Sequence, residues 1–155
     1  MQEERFSTRD RTYSAWHRRL STRRFVGIEK AQLLSMIDLD GALFCEFDGA
    51  TSEPLALIET ALDRGQSRKV ATVTRRLAER ARLPAYVVLY HPAGYCNPAD
   101  PSQPDIDGFR VRRLWPCPEP TWRALNPLEW AEALLQIREW AAMRADAEAA
   151  NEPQY

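Results

Sequence analysis

The stretch that decides the fold is PLALIETALDRGQSRKVATVTRRLAERARLPAYVVLY, residues 54–90. Its apolar start, 54–60, predicts a strand, and its β-branched and aromatic end, 85–90, predicts a second strand at the centre of a sheet. Between them, from about residue 66, apolar side chains recur at i, i+3, i+7 and i+11 and predict an amphipathic helix. The members of this apolar stripe are Val70, Val73, Leu77 and Ala81. A strand, a helix and a strand in this order predict a parallel, right-handed crossover.

Upstream of this segment, residues 36–47 read MIDLDGALFCEF. Apolar and acidic residues alternate over 37–40, which is the period of a strand. Gly41 is expected to bend the chain, and residues 43–47 then resume as a further strand. The polar run 47–54 contains the turn pair Asp-Gly, so we expect it to connect a hairpin between 43–47 and the strand that begins at 54.

Downstream, residues 91–108 read HPAGYCNPADPSQPDIDG and contain four prolines, which predicts a long loop. Residues 109–114, FRVRRL, predict a strand with two arginines on one face. Asn126 and Glu129 flank the start of a helix as a capping pair, with proline at its first position, and the helix should run to about 149. Its expected buried side chains are Trp130, Leu134, Ile137 and Ala141.

These elements, with a short helix over 13–24, predict the order α-β-β-β-α-β-β-α. The fold class is α/β, more closely α+β, with a central mixed β-sheet flanked by helices. The chain has 155 residues, the length of one ordinary domain. We expect a single domain over 13–150, a flexible N-terminus over 1–12 and a tail over 151–155.

The charges of the chain are segregated along the sequence. Residues 31–60 hold six acidic side chains and no Lys or Arg, whereas residues 61–82 hold seven basic side chains against two acidic ones. The net charge of −1 therefore excludes only a uniformly basic nucleic-acid binder. An acidic cluster beside a basic surface can hold a divalent cation next to a polyanion. Two solvated faces that pair with each other would give the same pattern.

Three acidic residues mark a candidate site. Asp38 and Asp40 would lie on the same face of a strand, and Glu59 comes at the end of the apolar run 54–60. Because the ends of neighbouring strands can converge, these carboxylates could bind Mg²⁺ or Mn²⁺, which prefer oxygen ligands. The alternative is that Asp38 and Asp40 are only the solvent-exposed side chains of an edge strand.

The cysteines and the hydropathy pattern bear on the cellular compartment. Cys45, Cys96 and Cys117 are odd in number and widely spaced, which excludes a disulfide framework and a zinc knuckle. No stretch approaches the roughly 18 apolar residues of a membrane span, and residues 1–25 have no apolar core of a signal peptide. The sequence therefore predicts a cytoplasmic protein without a membrane partner.

The stretches MIDLDGALFCEF, PLALIETA, AYVVLY and FRVRRL together resemble the PD-(D/E)XK nuclease superfamily over residues 34–114. They are most similar to its small phage and mobile-element proteins. The resemblance implies a restriction-endonuclease-like fold. It also implies a divalent metal, Mg²⁺ or Mn²⁺, that activates water to cut a phosphodiester in DNA. Carried over by motif, Asp40, assisted by Asp38, and Glu59 would bind the metal.

The departure from the superfamily pattern concerns its lysine. The position two residues after Glu59 is Ala61. Lys69, one of only two lysines in the chain, is the substitute that we expect, as in relatives whose lysine is displaced to a helix. The predicted catalytic residues are therefore Asp40, Glu59 and Lys69. The expected contacts to DNA phosphates come from four arginines around the predicted helix: Arg68, Arg75, Arg76 and Arg80.

Two alternative functions remain open from the sequence. A relative of the nucleases could bind nucleic acid or a protein partner, or form a homodimer, without cutting. The run IDLDGAL also resembles the first motif of HAD-type phosphatases, in which Asp38 would be the nucleophile and Asp40 the general acid. The HAD fold requires a helix after this motif, whereas the sequence predicts a hairpin after Gly41, so the phosphatase fits less well.

Overall fold

The computed structural model describes residues 24–34, 39–47 and 51–151 of the chain. The chain divides into two compact units, Met1–Asp38 and Leu39–Tyr155. In the first unit, Ile28–Ala31 form a short helix, α1, whose Ala31 is buried. The helix predicted over 13–24 lies outside the described residues except for its last position, as do the predicted N-terminal segment and all but the first residue of the tail.

The second unit is built on one sheet. Its described strands are hydrogen-bonded in chain order: β1 (Gly41–Phe47), β2 (Thr51–Leu62), β3 (Ala85–Asn97), β4 (Asp100–Trp115) and β5 (Arg123–Leu125). Two helices accompany them: α2 (Thr72–Ala81) and α3 (Pro127–Asn151). The predicted class, a mixed β-sheet with helices, is confirmed. Among the helices described, none is long and apolar enough to cross a membrane.

The segment 54–90 folds largely as its sequence predicts. β1 and β2 form an antiparallel hairpin, and β2 continues through α2 into β3, which pairs with it in parallel. The run 85–90, in which 85–89 are buried, is the centre of the sheet, flanked by β2 and β4. Of the first predicted strand, residues 37 and 38 lie outside the described residues, and Leu39 and Asp40 precede β1 without belonging to it.

The prediction of a loop over 91–108 is wrong, because these residues extend β3 and β4 into an antiparallel hairpin. Its turn is fixed where the Asn97 side chain accepts a hydrogen bond from the N–H of Ala99 (2.9 Å). β2 pairs with β3 as far as Tyr90, and β5 pairs with β4 from Phe109. Beyond these points each strand of the hairpin has a free side in the described sheet. Proline is tolerated there because it has no N–H to leave unpaired, and register shifts absorb the remaining irregularities.

The prediction of which face of α2 is buried is also wrong. The helix begins at Thr72 instead of about 66, and it buries Thr74 and Ala78. Val73 and Leu77, from the expected stripe, are 51% and 39% exposed. Instead, Ala78 is completely buried in a cluster with Leu57 and Ala85 of the sheet, so a small side chain fills the contact between helix and sheet.

The two long helices lie against opposite faces of the sheet, since alternate residues of a strand point to opposite sides. α2 packs Ala78 against Leu57 and Ala85. On the other face, α3 buries the expected Trp130 and Ile137 in the larger cluster. Its remaining buried members are Ala56, Tyr86, Val88 and Val111. Ala141 is buried as well, and Leu134 is partly buried, so the predicted inner face of α3 is confirmed.

The start of α3 carries the capping pair that the sequence predicts. The Asn126 side chain accepts a hydrogen bond from the N–H of Glu129 (2.8 Å). In return, the Glu129 carboxylate accepts one from the N–H of Asn126 (3.2 Å). The preceding strand β5 was not predicted, because three residues are too short for a periodic pattern.

We expect Asn126→Ala to lower the free energy of unfolding by about 1 kcal/mol, because one N–H at the start of α3 loses its acceptor. Urea denaturation followed by circular dichroism measures this loss. Glu132→Ala, an exposed change on the same helix, is the matched control and should be neutral. Equal effects of the two changes would show that the cap contributes nothing.

Candidate functional site

A row of three register partners crosses the sheet on the face that α2 covers. Glu59 of β2 lies beside Val87 of β3, and Val87 lies beside Arg112 of β4. Paired residues of neighbouring strands point to the same side, so the three side chains share one face. The sheet thus places an acidic and a basic side chain on either side of a buried valine.

The carboxylate of Glu59 is buried, with 7% of the residue exposed. Its Oε2 accepts a hydrogen bond from the Thr74 hydroxyl (3.1 Å), and its Oε1 lies 3.6 Å from Nζ of Lys69. A buried carboxylate is costly unless it is paired and hydrogen-bonded, and here it is both. The structure therefore brings together two of the three predicted catalytic residues, Glu59 and Lys69, with Lys69 in the connection before α2.

Asp40 is held at a different place. Its carboxylate accepts hydrogen bonds from the N–H of Thr60 (2.9 Å) and from the Thr60 hydroxyl (3.4 Å). Because Thr60 follows Glu59 in β2, their side chains point to opposite faces of the sheet. Asp40 is thus hydrogen-bonded to Thr60, the neighbour of Glu59, and the carboxylates of Asp40 and Glu59 have no common partner among the described residues. Asp38 lies outside the described residues.

The fit of a divalent metal can be judged from these contacts. Within residues 24–34, 39–47 and 51–151, no three His, Cys, Asp or Glu side chains gather closely enough to hold a metal ion. The oxygens of Glu59 are taken by Thr74 and Lys69, and Asp40 is taken by Thr60. Asp40 and Glu59, the two predicted ligands that the structure describes, therefore bind separate partners.

A cleft of about 500 Å³ opens where the start of α2 meets β3 and β4. We call it the basic cleft, because four positively charged side chains line it: Arg68, Lys69, Arg75 and Arg112. Val87, Leu114 and Trp122 supply apolar wall. Of the arginines predicted to contact phosphate, Arg76 and Arg80 are exposed on α2 but do not line this cleft.

Trp122 joins the cleft from the segment between β4 and β5. Its indole N–H donates a hydrogen bond to the carbonyl of Ser67 (2.9 Å). The guanidinium carbons of Arg110 and Arg112 lie 5.3 and 5.9 Å from its ring centroid, within the range of cation–π attraction. The sequence predicts that these two arginines share a strand face, but nothing in it indicates that Trp122 returns to them.

A bidentate ion pair fixes the connection that carries Arg68 and Lys69. Nε and Nη2 of Arg110 donate to the two carboxylate oxygens of Asp63 at 2.8 and 2.6 Å, and Nη2 also donates to the carbonyl of Gln66 (2.9 Å). The hydrogen bonds from Arg110, followed by one from the N–H of Gly65, lower the pKa of Asp63 to about 2. The loop is thus tied to β4 through one carboxylate, that of Asp63, and one carbonyl, that of Gln66.

We expect Asp63→Asn to reduce the free energy of unfolding at pH 7 by about 1–2 kcal/mol, because the folded state holds the carboxylate ionised. A lowered folded-state pKa stabilises the protein above the unfolded value, and this stabilisation is lost as the pH falls from about 4 to about 2. Urea titrations across this range measure the difference between wild type and variant. A difference that does not shrink on acidification would contradict the assignment.

Chemically, the basic cleft offers cations and an aromatic ring, and one of these cations, Lys69, is paired with the buried carboxylate of Glu59. Such a combination suits an anionic ligand with planar groups. Comparison with protein-family models, with curated proteins and with solved structures found no match. The class of ligand is therefore inferred from the residues that line the cleft.

Proposed function

We propose that this chain binds DNA, and that the basic cleft contacts the phosphodiester backbone. The observation that carries the proposal is the convergence of four cationic side chains on one concave surface: Arg68, Lys69, Arg75 and Arg112. The acidic side chain in the same row, Glu59, is buried and already paired with Lys69. The near-neutral total charge of the chain therefore coexists with a locally positive surface.

Two of these cations are available to a ligand. Arg68 and Arg75 are exposed, and in the part of the chain that the structure describes neither forms an ion pair. An arginine that has no partner in the free protein can contact a phosphate without first breaking an ion pair, and its guanidinium fork matches phosphate geometry. Arg112 differs, because its Nε already donates to the carbonyl of Glu119 (2.6 Å).

The start of α2 adds to the positive potential of the cleft. Val70, Ala71 and Thr72 line the cleft, so the first turn of the helix opens into it. No acidic residue occupies that turn, and Ala71 at the N-cap has no side chain that could accept from its N–H groups. Free N–H groups at a helix start favour a phosphate oxygen, in support of the arginines.

Binding of a labelled DNA oligonucleotide, measured by fluorescence anisotropy with EDTA present, tests the proposal. We expect affinity to fall steeply with salt, with a log–log slope of about −2 to −4, since the cleft has cations for that number of phosphates. An affinity that does not change with salt concentration, or no binding at about 50 mM salt, would refute a phosphate-binding cleft.

A second candidate function is hydrolysis of the bound strand, and the pairing of the buried Glu59 with Lys69 favours it. Carboxylate and lysine side chains at such a distance are the pair that the resemblance to PD-(D/E)XK nucleases implies. Mg²⁺ or Mn²⁺ would be the metal, with Asp38, Asp40 and Glu59 as its proposed ligands. To bind the same metal as Glu59, Asp40 would have to give up its hydrogen bonds from Thr60.

Incubation of labelled DNA with Mn²⁺ separates cleavage from binding. A nuclease is expected to cut the DNA, and Glu59→Gln should abolish cutting while DNA binding in EDTA persists. A wild-type chain that binds DNA but never cuts it would instead favour the non-catalytic alternative. Hydrolysis of a small phosphate ester that depends on Asp38 would support the phosphatase alternative.

A further inference from the structure

We infer that the DNA bound by the basic cleft is single-stranded and that one of its bases stacks on Trp122. This inference rests on the proposed function and narrows its substrate class. The cleft has two parts of different chemistry. Arg68 and Arg75 are exposed at its rim, whereas Val87, only 1% exposed, belongs to its floor together with Leu114. The cleft therefore reaches from the charged surface down to the sheet.

Val87 and Leu114 offer no charge to a phosphate, and Arg112, the register partner of Val87, already donates to the carbonyl of Glu119. An apolar floor beneath a cationic rim instead suits a ligand with an anionic backbone and flat, weakly polar groups that project from it. A nucleotide strand has this form, because its bases have apolar faces on a charged chain. A simple anion, such as free phosphate, would use the rim alone.

Trp122 is fixed in place before any ligand arrives. Its N–H is bound to the Ser67 carbonyl, and its ring lies against the guanidinium groups of Arg110 and Arg112. Arg110 in turn is bound to Asp63 and to the carbonyl of Gln66. A ring held in this way loses little conformational freedom on binding, which is the condition for an effective stacking platform.

A duplex cannot use this floor as a single strand can. In a duplex the bases are stacked on one another and paired, so side chains reach their edges in the grooves and not their faces. The phosphates of a duplex could still meet Arg68 and Arg75 at the rim. A single strand can also turn a base inward onto Trp122, so it gains stacking in addition to the phosphate contacts.

The test compares three labelled oligonucleotides of equal length with the full chain, at low salt and with EDTA: a thymidine strand, its duplex, and a strand of abasic sites. The abasic strand keeps the phosphates and lacks the bases. We expect the thymidine strand to bind about 10-fold or more tightly than either competitor. This order is diagnostic, because a duplex has the higher charge density and would win on electrostatics alone.

Variants at Trp122 assign the effect to this ring. Trp122→Phe retains an aromatic face and should keep the preference for thymidine over the abasic strand. Trp122→Leu should lose it, with the abasic strand bound as before. Trp140→Leu, at a partly exposed tryptophan on α3, is the matched control and should change neither affinity.

The outcomes distinguish failure of the single-strand inference from failure of the proposed DNA binding by the basic cleft. If duplex and abasic strands bind as well as the thymidine strand, the inference is overturned and the phosphate-binding cleft stands. If none of the three binds, the proposed function itself fails. If Trp122→Leu keeps the preference for thymidine, stacking takes place elsewhere and the assignment to Trp122 is wrong.

Discussion

Replacing both Arg68 and Arg75 with alanine is expected to weaken DNA binding by about 10- to 100-fold at low salt. The two side chains are the exposed cations of the basic cleft, and each phosphate contact that is lost should also reduce the salt slope by about 1. Anisotropy titrations at several salt concentrations measure both quantities. Because both side chains are exposed, the stability of the variant should stay close to that of wild type.

Arg138→Ala is the control for this double replacement. Arg138 is exposed on α3, which covers the other face of the sheet, so its loss removes a positive charge without touching the basic cleft. We expect its affinity and salt slope to match wild type. If Arg138→Ala weakened binding as much as the loss of one cleft arginine, the DNA would be attracted by charge spread over the surface and not by the cleft.

Lys69→Met is expected to lower the free energy of unfolding by about 2 kcal/mol. The change leaves Glu59 buried with Thr74 as its hydrogen-bond partner but with no cation, and an unpaired buried charge is strongly destabilising. Lys69 is one-third exposed, so the loss should fall below the 3–5 kcal/mol typical of fully buried pairs. Urea denaturation at pH 7 measures it.

A double-mutant cycle isolates this pair. Glu59→Gln combined with Lys69→Met removes both charges and keeps a side chain that can bond to Thr74, so the double variant should lose less stability than the two single variants together. Arg76→Met, an exposed cation on α2, is the matched control and should cost less than about 0.5 kcal/mol. A Lys69→Met variant as stable as this control would mean that the lysine does not support Glu59.

The centre of the fold could be predicted because its residues carry strong local patterns. The run 85–90 is apolar without interruption, and only a strand buried on both faces accommodates that. The capping pair of Asn126 and Glu129 fixed the start of α3 within one residue. In both cases the interaction that decides the structure lies within a few neighbouring residues, so the local sequence contains it.

The prediction failed where tertiary packing overrides the local pattern. Four prolines in 91–108 favour a loop, yet the hairpin tolerates them because its strands have free sides. The stripe of Val73 and Leu77 is the more hydrophobic face of α2, but the face that packs on the sheet is the one that carries Ala78. Neither the free side of a strand nor the choice of the helix face that meets the sheet is determined within the segment itself.

The candidate site was predicted in part. The sequence predicts Lys69 in a helix that begins at about 66 and reaches back to Glu59, whereas the structure places Lys69 in the connection before α2, 3.6 Å from Glu59. Arg112 and Trp122 were not predicted as site residues, because they reach the cleft through pairing across β3 and a return from the segment before β5. Such contacts between distant parts of the chain leave no periodic pattern.

Photo-cross-linking maps the DNA contact most directly. A bromodeoxyuridine oligonucleotide is cross-linked to the full chain with EDTA present, and the attached tryptic peptides are identified by mass spectrometry. We expect cross-links in peptides from the basic cleft, above all in residues 114–123, which contain Trp122. Cross-links confined to α3, on the opposite face of the sheet, would contradict it.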